Sequence, residues 1–155
     1  SDALLGILAQ RLAKRLCSKC KKPHTASGDE IQSLLIEYCE ELKYIERFRT
    51  NPDAAYKRIE EEWVKQYGNE HKQITLYQPV GCDSCNGTGY AGRVGLHELL
   101  TASDILKKNI QEHARVAEML VTALGEGMRT LKQDGIEKVL QGITDIHQIR
   151  AVCIK

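Results

Sequence analysis

Cys82-Asp83-Ser84-Cys85-Asn86-Gly87-Thr88-Gly89-Tyr90-Ala91-Gly92-Arg93-Val94-Gly95 is the stretch on which the reading of this chain turns. Two cysteines separated by two residues open it, and Gly81, Gly87, Gly89, Gly92 and Gly95 crowd around them. That glycine density predicts a tight loop with several positive-φ positions. A CxxC turn lets both sulfurs bind one ion, and a second pair, Cys17-Ser18-Lys19-Cys20, lies upstream. Together Cys17, Cys20, Cys82 and Cys85 can complete a tetrahedron around Zn²⁺ at about 2.3 Å per bond. The glycines after Cys85 suit this, because backbone N–H groups near the sulfurs must turn inward to stabilise them. Four protein ligands leave no position for a reactive water, so such a site is structural rather than catalytic.

Residues 21–81 separate the two pairs, far more than the roughly 15 to 20 of a compact zinc ribbon. The segment carries its own helical signals, so the ion is expected to fasten the base of a helical protrusion. Thiol–disulfide chemistry and two unrelated buried pairs are the competing readings, and the first lacks the βαβ setting of a thioredoxin-like motif. Six cysteines in 155 residues are too sparse for a disulfide scaffold. The first apolar stretch, Leu4 to Leu16, is punctuated by Gln10, Arg11, Lys14 and Arg15, unlike a signal peptide. A reducing compartment is therefore the default, where CxxC pairs mean metal or redox chemistry. Cys39 and Cys153 read as small buried hydrophobes, and His97 as a satisfied core residue. His24 and His71 flank the insert and could replace a ligand.

Composition bounds the rest. A length of 155 gives one domain or two small ones sharing a core, and a hydrophobic fraction of 42% excludes a disordered chain. No apolar run approaches the roughly 18 residues of a membrane span. With 22 basic against 21 acidic side chains there is no net basic footprint for nucleic acid. The chain opens at Ser1 inside a periodic apolar pattern, and is expected to be a fragment of something longer.

Leu4, Leu8, Leu12 and Leu16 recur every four residues, which predicts a helix running into the first cysteine pair and stopped by Pro23. Ser27-Gly28-Asp29 supplies an N-cap for a helix over 30–49, and Asn51-Pro52-Asp53 breaks it before a second helix over 54–67. Residues 74–77 and 94–100 read as strands. Ser103 and Asp104 start one helix, a second covers 114–124, a third spans 128–140 interrupted at Gly135, and Thr144 caps the last. Tyr38, Tyr44, Tyr56, Trp63 and Tyr67 permit a docking surface, although aromatics at helical spacing are more often local core. The expected class is α+β, mostly helical: a tetracysteine-stapled helical insert followed by a C-terminal helical bundle.

No GxxxxGK[ST], GxSxG or HExxH occurs, and no GxGxxG followed by a helix. The basic cluster Arg11, Lys14, Arg15, Lys19, Lys21 and Lys22 could bind anions or be a solvated helix flank balanced by Glu37, Glu40, Glu41, Glu60, Glu61 and Glu62. From the residues alone this is a zinc-stapled module of unknown task.

Three ordered blocks nevertheless look familiar. Leu4-Leu5-Gly6-Ile7-Leu8-Ala9-Gln10-Arg11-Leu12 leads into Cys17-x2-Cys20. Cys82-x2-Cys85-x2-Thr88-Gly89-Tyr90-x-Gly92-Arg93-x-Gly95-Leu96-His97-Glu98-Leu99-Leu100 forms the second block, and Gly127-Met128-x2-Leu131-x2-Asp134-Gly135-x2-Lys138-Val139-x2-Gly142-x-Thr144 the third. They resemble the C-terminal part of the assembly ATPases of type II secretion and type IV pilus systems, the GspE/PilB family. The resemblance implies that residues 1–16 end a RecA-like ATPase core. It likewise implies that 17–85 form a tetracysteine metal-binding subdomain with the long insert 21–81, and that 86–155 form a strand and a C-terminal helical subdomain. The whole protein would be a homo-hexameric, Mg²⁺-dependent ATPase, peripheral to the membrane on the cytoplasmic face of the inner membrane. It would move a membrane platform protein with other secretion or pilus components, and bind no nucleic acid. The Walker motifs and the catalytic glutamate are absent from this chain, so no catalytic residue is assigned and it should be inactive alone. Arg93 looks like the residue that approaches bound ATP, since guanidinium is planar and permanently charged; Gln10 and Arg11 are further candidates, with a plain helix-surface contact as the competing reading.

Two rival classes stay open. Cys82-Asp83-Ser84-Cys85-Asn86-Gly87-Thr88-Gly89 is a literal CxxCxGxG, the repeat of the J-domain co-chaperone zinc region, but that region has four repeats and two ions. The other rival is a stand-alone zinc-stabilised interaction module.

Overall fold

The computed structural model describes residues 6–153. The chain is α+β, with seven α-helices and two small antiparallel sheets among these residues. The first sheet pairs β1 (Gly6–Leu16) with β4 (Tyr90–Thr101), in a register running from Gly6↔Thr101 to Leu16↔Tyr90. The second pairs β2 (Lys22–Thr25) with β3 (Thr75–Gln78), from Lys22↔Gln78 to Thr25↔Thr75.

The helix expected over Leu4–Leu16 is therefore a strand from Gly6 onward; Leu4 and Leu5 lie outside the described residues. Leucines four residues apart satisfy one turn of helix and also two repeats of a strand, so their spacing decides nothing. Ten residues paired with β4 override the helical propensity of Ala, Gln, Arg and Lys. Pro23 sits inside β2 rather than ending a helix.

Between β2 and β3 lie α1 (Gly28–Tyr38), a 3₁₀ turn over Glu40–Tyr44, α2 (Glu46–Thr50) and α3 (Pro52–Tyr67). Ser27 caps α1 in a full capping box with Glu30, and Asn51 caps α3 with Pro52 in its first turn. The expected 30–49 helix is thus broken at Cys39. After β4 come α4 (Asp104–Gln111), α5 (Val116–Gly125), α6 (Leu131–Leu140) and α7 (Ile146–Val152). Asp145, not Thr144, caps α7. Gly135 does not interrupt α6: a side chain there would meet Ile149, with atoms at 2.8 and 3.1 Å, so glycine lets α7 approach closely.

One hydrophobic cluster joins Ile31, Leu35 and Tyr38 of α1, Ile59 and Trp63 of α3, Leu96 of β4, Ile136 and Val139 of α6, and Ile149 of α7. The insert shares this core with the C-terminal helices instead of protruding from it. Tyr38 meets Trp63 edge-on at 5.2 Å, and Phe48 meets Tyr56 at 5.6 Å. Tyr44 is exposed. Cys39 is buried as expected, whereas His97 is exposed. No described helix is long and apolar enough to cross a membrane.

Candidate metal centre

The two ladders meet at the four cysteines. Pairing of Leu16 with Tyr90 holds the entry of the first CxxC against the exit of the second. Pairing of Lys22 with Gln78 holds the exit of the first near the approach to the second. Cys17 N–H donates to the Gly89 carbonyl at 2.9 Å, and the turn closes with Lys21 N–H on the Cys17 carbonyl at 3.0 Å. The second turn is a 3₁₀ bend over Asp83–Cys85, with Gly87 N–H on the Cys82 carbonyl at 2.8 Å. Gly89, at φ +82°, is required: a Cβ there would stand 2.6 Å from Pro79 Cβ.

All four sulfurs lie within 4.8 Å of one another. Sγ of Cys17 is 3.8 Å from that of Cys82, Cys20 is 3.9 Å from Cys85, and Cys82 is 3.7 Å from Cys85. A tetrahedron with Zn–S bonds of about 2.3 Å has edges of about 3.8 Å. The thiols are free, at separations nearly twice a disulfide bond of about 2.05 Å. Donor set and spacing thus fit a tetrahedral thiophilic ion such as Zn²⁺. Backbone donors turn inward, as the glycines foreshadow: Gly81 N–H to Cys20 Sγ at 3.3 Å, and Cys82 and Gly89 N–H to Cys85 Sγ at 3.2 Å each. The Cys82 N–H, against desolvation and with help from Gly89, pulls the Cys85 thiol down to about 6. The Gly81 N–H acts the same way on Cys20, but burial and the three neighbouring thiols outweigh it and push that thiol up to about 11.

His24 bonds Glu30 at 2.9 Å and His71 lies beside Glu70, so neither joins the sulfurs. Cys39 and Cys153 stand outside the cluster, and among the described residues this is the one cysteine cage, unlike the two of the co-chaperone zinc region.

The cage is also tied to the C-terminal helices, a link the sequence did not suggest. Lys21 Nζ donates to the Gly142 carbonyl at 2.9 Å and sits over the Tyr77 ring at 4.4 Å. Leu16 N–H reaches the Ile143 carbonyl at 2.9 Å, and the Thr144 hydroxyl donates to the Lys14 carbonyl at 2.7 Å.

A family model described as "Type II/IV secretion system protein" matches residues 1–151. The chain belongs to the type II/IV secretion system protein family. Similar members are a type IV pilus assembly ATPase PilB of Thermus thermophilus (32% identical), a type II secretion system protein E of Dickeya dadantii (32%) and a type II secretion system ATPase E of Vibrio cholerae (32%). The matches cover 100%, 96% and 98% of this chain but only 14%, 23% and 24% of those proteins. This member of the family is therefore comparable with a quarter or less of its relatives' length.

Within that family chain, the three candidate residues at nucleotide do not stay together. Directly opposed residues of an antiparallel pair share a face. Gln10↔His97 and Lys14↔Arg93 put Gln10 and Arg93 on one exposed face of the β1–β4 ribbon, roughly 13 Å apart along it. Arg11↔Leu96 puts Arg11 on the opposite face, where it lines a cavity with Glu37, Glu98, Lys132 and Arg150. The basic cluster is no helix flank balanced by Glu37; that carboxylate pairs with Arg150 and Lys132.

Proposed function

We propose that this chain is the zinc-stapled C-terminal region of a cytoplasmic, homo-hexameric ATPase that powers type II secretion or type IV pilus assembly at the inner membrane. The observation that carries the reading is the coincidence of the family match with a four-thiol cage at tetrahedral spacing. Cys17, Cys20, Cys82 and Cys85 would hold Zn²⁺, which supplies no reaction chemistry and fixes the ends of the two ladders. In the whole protein, residues 1–16 would close a RecA-like core that binds ATP and Mg²⁺. Arg93 would face the nucleotide with Gln10 beside it, while the ribbon transmits the hydrolysis cycle to an inner-membrane platform protein. Arg11, on the other face, would serve contacts with the helices instead.

The test is elemental analysis of the reduced, purified chain, with a thiol count before and after chelation. One zinc per chain and four thiols freed by the chelator are expected. No zinc, or two ions per chain, overturns the reading.

A further inference from the structure

Asn86-Gly87 is the one Asn-Gly pair in the chain, and it lies inside the second cysteine turn. Both residues are exposed, and open space surrounds the point where a side chain on Gly87 would begin. An asparagine side chain is attacked by the backbone nitrogen that follows it, and glycine has no side chain to shield that nitrogen. The Gly87 nitrogen bonds to Asn86 Cγ and gives up its proton, the Cγ–Nδ2 bond breaks, and ammonia leaves with that proton. Water then opens the succinimide ring. Opening at Cγ leaves aspartate; opening at the backbone carbonyl leaves isoaspartate, which carries the chain through an added methylene.

The folded turn holds this chemistry off. Asn86 sits in the left-handed region at φ +55° and ψ +36°, which places the Gly87 nitrogen across the Cα–C bond from Cβ. Its N–H is held by the Cys82 carbonyl at 2.8 Å, and Asn86 N–H reaches the Asp83 carbonyl at 3.3 Å. Ring closure must rotate ψ and break the first of these bonds. Cys82 and Cys85 bracket the bend, and their sulfurs belong to the four within 4.8 Å. An ion on those sulfurs suppresses the local opening that the rotation needs; without it, hydrogen bonds alone resist. The product in turn disfavours the ion. An added methylene at residue 86 shifts Gly89 and Gly87, whose carbonyl passes 2.7 Å from where a side chain on Gly81 would begin. Gly81 and Gly89 supply the N–H groups on Cys20 and Cys85.

We propose that Asn86-Gly87 is a metal-gated site of isoaspartate formation: the loaded cage blocks the reaction, and the modified turn takes the ion back poorly. The inference rests on the four-cysteine zinc site and adds a chemical fate for the chain that loses its ion. The 155-residue chain, zinc-loaded or stripped by a chelator, is incubated in warm, mildly alkaline buffer. Peptide mass spectrometry and an enzymatic isoaspartate assay follow the reaction. Stripping should speed modification at residue 86 roughly tenfold, while Asn69 and Asn109, followed by Glu70 and Ile110, stay intact in both samples. Modified chain, separated from unmodified, should rebind zinc roughly tenfold more weakly. Asn86→Gln, whose side chain is a methylene too long for the ring, should hold zinc and stay unmodified when stripped. Equal rates with and without zinc, or modified chain that rebinds zinc normally, overturn the proposal. A chain that takes up no zinc at all overturns the cage reading instead.

Discussion

Tyr90 donates its phenol hydrogen bond to the carboxylate of Asp145, the residue that caps α7 through Gln148 N–H at 2.9 Å. Tyr90 is the first residue of β4, just past the second cysteine turn, so one hydrogen bond ties the metal centre to the last helix. Burial, then the Asp145 charge, pushes the phenol up to about 12. Tyr90→Phe should cost about 1 kcal/mol, a fall in midpoint of about 2–4 °C. Zinc content, measured in parallel, should not change.

Cys82→Ser should release the metal, and the damage should not stop at the insert. The core shared by α1, α3, α6 and α7 makes the two regions cooperative. Stability should drop by on the order of 5 kcal/mol. Hydrogen exchange should show 28–67 and 131–152 losing protection together; α6 and α7 keeping full protection would mean that they fold apart from the staple.

Acid should weaken the joint between α1 and α7. The Arg150 guanidinium, bonded at 2.9 and 3.0 Å, together with Lys132, holds Glu37 below the usual carboxylate range. A depressed carboxylate stabilises the fold above its unfolded value of about 4.3, and that contribution disappears as pH falls through the lower folded value. Glu37→Gln should cost about 1 kcal/mol at pH 7 and flatten the acid limb of the stability profile. Urea midpoints taken between pH 7 and pH 3 decide it.

Gly135→Ala sets helix propensity against packing. Alanine gains about 1 kcal/mol in a helix interior, but its methyl would press on three atoms of Ile149, a fully buried side chain. The net should be a loss of about 1–2 kcal/mol, with part restored when Ile149→Val is added. Additive losses in a double-mutant cycle would show that the two positions do not touch.

Much of the site was legible because its chemistry is local. CxxC turns and the glycines that aim N–H groups at sulfur are written in adjacent residues, so the four cysteines could be grouped before any fold was known. The cap at Ser27 and the helix start at Ser103 were readable for the same reason. β1 was not, because whether Leu8 and Leu12 belong to a helix or a strand depends on β4, far along the chain. That error propagated: a helix would turn Gln10 and Arg11 only about 100° apart, whereas strand alternation sends them to opposite faces. Thr144 likewise looked like a cap, yet its hydroxyl is spent on the Lys14 carbonyl.

The long separation between β1 and β4 bears on how the chain is made. β1 leaves the ribosome roughly 75 residues ahead of its partner. At roughly 5–20 residues per second it waits for seconds with its edges unpaired. Ile7, Leu8 and Leu12 remain more than half exposed even afterwards. β1 thus emerges as a sticky, unfinished strand well before β4, and the nascent chain should depend on chaperone cover until the second cysteine turn emerges.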